Sequence, residues 1–192
     1  MADTTAVKGK WRTVDLAYTA LFAVLMTVCA WISVPLPVPF TLQTFAICAA
    51  MGVLGGRRST WAVAVYLLLG AVGLPVFSGF RGGLGALLGT TGGYILGFLA
   101  MPLVYWLVTD LLGDRLAVSA TAMVLGLAVC YAFGTAWFVV LYTRSSGPIT
   151  VGAALGMCVL PFVIPDLVKM ALALTLSRRL RDRLEEKKEG YC

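Results

Sequence analysis

The chain has 192 residues, 60% hydrophobic and 12% charged, with a mean hydropathy of +0.92, whereas soluble domains carry about 25% charged residues; most of its surface must therefore meet lipid. Its net charge of +6 does not mark a nucleic-acid face, because the basic residues gather at the ends of apolar runs, which is the pattern of membrane topology. The absence of histidine excludes His-based triads and His metal sites, and the five isolated cysteines suggest neither disulfides nor metal-ligand spacing, so no cofactor is expected.

A hydrocarbon core takes roughly 20 apolar residues per crossing, which leaves room for about five to seven spans and no separate soluble domain. The pattern predicts an all-α integral membrane protein, a six-helix bundle forming a single domain over residues 1–192. A short basic segment, residues 1–12, carries Lys8, Lys10 and Arg12 and leads into predicted helix 1, at about residues 13–34. That run is long enough to span and lacks an A-x-A-like cleavage site, so it reads as a retained helix rather than a signal peptide. Pro35, Pro37 and Pro39 end it.

Predicted helix 2 covers about residues 40–54, and Gly55, Gly56, Arg57 and Arg58 make a tight turn into predicted helix 3, about residues 59–74. Both are short for a full span. A Gly-rich segment, residues 76–93, separates them from predicted helix 4, about residues 94–108. A polar turn at residues 110–115 leads to predicted helix 5, about residues 117–142, and a loop at residues 144–148 follows. Predicted helix 6 begins near Val151, carries Pro161 and Pro165, and runs into a charged tail, residues 178–192.

Positive residues collect on the cytoplasmic side of short loops. With six helices, the N-terminal segment, Arg57 and Arg58, Arg115 and the basic tail all fall on one side, which makes both termini cytoplasmic. The remaining connections carry at most Arg81 or Arg144 and face outward. Small residues four apart, in Gly52/Gly56, Gly93/Gly97, Ala132/Ala136 and Gly152/Gly156, read as helix-packing positions.

Two charged residues remain deep inside an apolar run, Asp166 and Lys169. Each costs roughly 2.5–3.5 kcal/mol at the centre of a lone inserted helix, and their i, i+3 spacing places both on one helical face. Either they pair only with each other and fasten helix 6 to its neighbours, or they form a polar site facing a cavity. The second reading is preferred, because Pro161 and Pro165 free backbone carbonyls nearby.

The stretch from Ser78 to Tyr94 combines many glycines with Phe80, Leu84, Leu87, Leu88 and Tyr94, which a flexible linker would lack. Irregular backbone at membrane depth survives only where protein buries it or a cavity hydrates it, so this segment is expected to fold back over a pocket as an outward loop. Gly82 and Gly83 allow close backbone approach to a ligand there. Arg81 is placed either to meet a carboxylate with a two-pronged hydrogen bond or to sit at the headgroup level. Gln43 serves either the pocket or an interhelical hydrogen bond. Tyr66 and Tyr94 are interface aromatics, or one of them stacks on a flat ligand. No G-x-x-x-x-G-K-[ST] segment occurs, so energy for active transport has to come from another subunit.

At these residues the sequence resembles the BioY family, the biotin-binding S components of energy-coupling factor (ECF) transporters. The matching stretches are Val38-Pro-Phe-Thr-Leu-Gln-Thr, Leu54-Gly-Gly-Arg, Tyr66-Leu-Leu-Leu-Gly-Ala-Val-Gly-Leu-Pro-Val-Phe77, Arg81-Gly-Gly-Leu, Thr91-Gly-Gly-Tyr-Ile-Leu-Gly-Phe98 and Ile164-Pro-Asp-Leu-Val-Lys169. The resemblance implies a protein of the bacterial cell membrane that binds biotin in an outward pocket under a loop. It also implies a transmembrane T component and two ABC ATPase subunits as partners, with no enzymatic activity in this chain. Gln43, Arg81, Gly82, Gly83, Tyr94, Asp166 and Lys169 become the expected substrate-binding residues. Two departures stand out. Gly89-Thr90-Thr91 replaces the family's usual Gly-Pro-Thr, and Ala17, Ala20 and Ala23 are three apart where S components often carry an Ala-x-x-x-Ala docking face. The competing readings are an S component for another vitamin, an intramembrane enzyme using Asp166 as acid or base, and a membrane scaffold without a ligand.

Overall fold

The computed structural model describes residues 13–36 and 38–189, with side chains through Leu180. The basic residues Lys8, Lys10 and Arg12, together with Pro37, lie outside the described residues.

Helix α1, Thr13–Trp31, ends ahead of a small antiparallel hairpin that pairs β1, Ser33–Val34, with β2, Phe40–Thr41. Ser33 faces Thr41 and Val34 faces Phe40. Pro35 and Pro39, between the strands, have no N–H to continue either a helix or a longer ladder, and the chain turns back at once into the next helix.

Helix α2, Gln43–Ala71, contains both predicted helices 2 and 3. Gly55 interrupts it at φ 77 and ψ 173, a conformation that needs glycine. The interruption reverses the chain, since the Gln43 side chain hydrogen-bonds Tyr66, 23 positions later, at 2.9 Å, whereas a straight helix would hold them about 35 Å apart. The turn is held by Ser59 Oγ, which donates to the carbonyls of Gly55 (2.7 Å) and Gly56 (2.9 Å). An ion pair of 3.0 Å from Arg58 to Asp15 ties the turn to the start of α1. Gly56 lies so close to Trp106 that a Cβ there would run into that residue's backbone.

Residues 72–91 are more ordered than a loop. They include a 3-10 turn, Ser78–Phe80, an antiparallel bridge between Phe77 and Arg81, and a short helix α3, Leu84–Leu88. Helix α4, Gly92–Leu112, turns at Gly113 and Arg115 into α5, Leu116–Ser146, which packs along it. Predicted helix 6 is two helices, α6, Val151–Cys158, and α7, Leu160–Glu189, broken at Val159. Pro161 explains where the break falls: in the first turn of α7 its missing N–H would have had no helical partner anyway.

The described residues thus hold seven α-helices. Four stretches, Thr13–Trp31, Gly92–Leu112, Leu116–Ser146 and Leu160–Leu180, are long and apolar enough to cross a membrane. Helix α2 packs against α1, α4 and α7, and Ala46, Ile47, Ala50, Met51, Ala62 and Val63 on its arms are fully enclosed. Leu21, Val24, Leu68, Leu107, Leu111, Ile164 and Leu172 lie on the outside of the bundle, a surface that water would not tolerate and lipid would.

Candidate ligand-binding site

The end of the bundle that carries the β-hairpin also carries residues 72–91, and two adjoining hollows lie beneath them. The first is lined by Val38, Pro39, Thr41, Gln43, Phe77, Ser78, Arg81, Ala86, Thr91, Tyr94, Ile95 and Phe98. The second is lined by Thr44, Leu127, Cys130, Tyr131, Cys158, Phe162, Asp166 and Lys169 together with Phe40 and the five residues it shares with the first. Each leaves about 50 Å³ of room for water. One water needs about 10–15 Å³ measured in this way, so each hollow has room for a few waters.

Asp166 and Lys169 lie on one face of α7 in the wall of the second hollow, 5% and 7% exposed. Three helices converge on the carboxylate. Its Oδ1 accepts from Lys169 Nζ at 2.7 Å and from Thr44 of α2 at 2.9 Å, and its Oδ2 accepts from the Tyr131 hydroxyl of α5 at 2.5 Å. The ammonium also donates to the Thr41 carbonyl at 2.6 Å and, at 3.4 Å, to Thr44, and it stands 3.7 Å from the centre of the Phe40 ring. A buried pair must recover its desolvation through such bonds and good geometry; here both partners have them, and both still border open space.

Gln43 begins α2, where its Nε2 donates to Tyr66, and Tyr66 in turn donates to the Val76 carbonyl at 3.0 Å. This chain joins the hollow to the start of the covering segment. Tyr94 hydrogen-bonds Thr135 at 2.9 Å and borders both hollows, while Tyr66 lines neither. Arg81 is exposed at the rim of the first hollow. Its Nε donates to the Ser78 carbonyl at 3.1 Å, and its terminal nitrogens point to no partner among the described residues. Gly82 and Gly83 line neither hollow. They shape the segment instead: a Cβ on Gly82 would strike the Leu74 carbonyl, and Gly83 holds φ 83 while its N–H donates to Gly70 at 2.7 Å.

Two tryptophans fasten the segment at its ends. Trp31 donates to the Pro75 carbonyl at 2.8 Å and packs on Phe80, and Trp137 donates to the Gly89 carbonyl at 3.0 Å.

Sequence reasoning passed over Tyr131, Thr44 and Thr41. Tyr131 had a signal: it stands at the midpoint of a 31-residue apolar helix, whereas membrane tyrosines gather at the interfaces. Thr44 and Thr41 had none, because a single threonine in an apolar run is unremarkable until the fold brings a charge to it.

The sequence model of the BioY family matches residues 3–186. The chain belongs to the BioY family. Among its relatives in that family, the biotin transporter BioY of Thermotoga maritima is 40% identical over 168 residues, covering 87% of this chain and 95% of that protein. The probable biotin transporter BioY of Pyrococcus horikoshii is 38% identical over 168 residues, covering 87% and 96%. A crystal structure of the S-component for biotin from an ECF-type ABC transporter matches the fold with a TM-score of 0.76 at 28% identity, over 94% of this chain and 95% of that one. With its apolar helices, family membership makes the chain a multi-pass membrane protein.

Proposed function

We propose that the chain captures biotin in the joined hollows as the S component of an ECF-type ABC importer. The observation that carries this reading is the Asp166–Lys169 pair, held by three helices yet bordering a cavity next to the exposed Arg81. Biotin's bicyclic ring bears a urea that needs both donor and acceptor, and its valerate ends in a carboxylate. In the favoured pose the urea meets the Asp166 and Lys169 wall and the carboxylate reaches Arg81, whose planar fork suits it. Gln43 and Tyr94 line the path between them, and Phe40, Phe98 and Phe162 supply apolar walls. Gly82 and Gly83 act through the backbone of the covering segment.

The chain crosses the bacterial cell membrane six times as one domain, using α1, the two arms of α2, α4, α5, and α6 with α7. Its termini, Arg57, Arg58 and Arg115 are cytoplasmic, and the hollows, Arg81 and Arg144 face outward. Residues 72–91 are the lid over the hollows. With no nucleotide-binding loop in its sequence, the chain relies on a transmembrane T component and two ABC ATPases for energy.

Calorimetry of the detergent-solubilised chain tests the reading. Saturable binding of one biotin per chain is expected, and silence with biotin alongside saturable binding of another vitamin would transfer the architecture to a different substrate.

A further inference from the structure

We propose that Tyr131 is a specificity-determining residue of this site, accepting a hydrogen bond from a ring N–H of the ligand. The inference rests on the biotin reading above and assigns a polarity to one wall of the second hollow. A phenol has one proton, and Tyr131 donates its proton to Asp166 Oδ2 at 2.5 Å. Asp166, in an ion pair with the Lys169 ammonium at 2.7 Å, only accepts: Lys169 and Thr44 donate to its Oδ1 and Tyr131 to its Oδ2. What Tyr131 can still offer is a lone pair on its oxygen, which meets no donor among the described residues, on a side chain that lines the hollow. Asp166 Oδ2 beside it likewise has acceptor capacity left over.

This wall therefore takes donors and repels acceptors. A ligand carbonyl or carboxylate placed against Tyr131 would confront two oxygens with no proton between them, which is the costly arrangement for buried polar atoms. Across the carboxylate the polarity reverses. Lys169 spends two of its three N–H groups on Asp166 and the Thr41 carbonyl, and its third contact, to Thr44 at 3.4 Å, is long. A ligand oxygen can replace that weak contact. The order along the wall is acceptor at Tyr131, then donor at Lys169, which matches the adjacent N–H and C=O of a cyclic urea and no carboxylate.

The experiment uses the full chain in detergent with biotin and its two ring N-methyl derivatives, in which one urea N–H or the other is replaced. One isomer should bind the parent chain at least about tenfold more weakly than biotin, since methylation removes the donor that Tyr131 requires. In Tyr131→Phe, biotin affinity should fall about 3- to 10-fold, and the ratio between biotin and that isomer should collapse towards one. Thr44→Val removes another brace on Asp166 without touching the Tyr131 oxygen, so it should weaken biotin yet keep the ratio. A parent that binds both isomers like biotin overturns the inference without any variant being made. So does a Tyr131→Phe chain that keeps the parental ratio, or a Thr44→Val chain that loses it. Failure of the parent to bind biotin at all is a different result and removes the substrate assignment itself.

Discussion

Replacing Asp166 by Asn takes the negative charge out of a site where Lys169 is 7% exposed, and so leaves the ammonium without its counter-charge. The amide oxygen can still accept from Lys169 and Thr44, but its nitrogen then faces a Tyr131 hydroxyl that had been a donor. Breaking one side of a buried pair costs about 3–5 kcal/mol, which for a chain of this size corresponds to a fall of roughly 6–20 °C in Tm. Adding Lys169→Met removes the orphaned charge and should recover most of that loss. Binding should not recover with it. Hydrogen bonds to charged groups are worth about 1.5–3 kcal/mol each, so loss of two weakens biotin by about a hundredfold or more. Thermal unfolding in detergent and calorimetry with biotin, run on the parent, the single and the double variant, separate the two effects. A stable double variant that binds biotin like the parent would refute a ligand role for the pair, and a single variant as stable as the parent would refute the coupling.

Arg81→Ala should weaken biotin by about tenfold while leaving biotin methyl ester unchanged, and an equal loss for both ligands would separate Arg81 from the carboxylate. Trp137→Phe keeps the ring but loses the bond to the Gly89 carbonyl; stopped-flow release of biotin should speed up about 3- to 10-fold, and an unchanged rate would mean the indole does not hold the lid. Gly56→Val pushes a side chain into the Trp106 backbone and should cost about 1–3 kcal/mol, read as a lowered Tm; no change would mean α2 and α4 can separate freely. In a cysteine-free chain, Arg144→Cys should react with an impermeant maleimide in intact cells and Arg58→Cys only after permeabilisation, and the reverse pattern would invert the topology.

What local chemistry specifies could be read directly. The prolines after Val34 and the glycines at 55 and 56 mark chain reversals because they alter backbone freedom at their own positions. Apolar run length marks α1, α4 and α5 because desolvation is paid residue by residue. Other features depended on partners distant in sequence. Residues 76–93 looked like an irregular loop, yet they include a 3-10 turn and a short helix, with Trp31 and Trp137 bonded to the carbonyls of Pro75 and Gly89 on either side. The break at Val159 was hidden by the continuous apolar run, since Pro161 is as compatible with the first turn of a new helix as with a kink in an old one.

The charged pair divides in the same way. Its existence, its spacing on one helical face and its cost in lipid follow from the sequence, because they depend on residues three apart in one helix. Its environment does not. Thr44 reaches Asp166 across 122 positions and Tyr131 reaches it across 35, and no short-range pattern announces either contact. Only the packing of α2, α5 and α7 brings a threonine, a phenol and a lysine onto one carboxylate, and only that convergence decides which lone pairs and protons are left for a ligand.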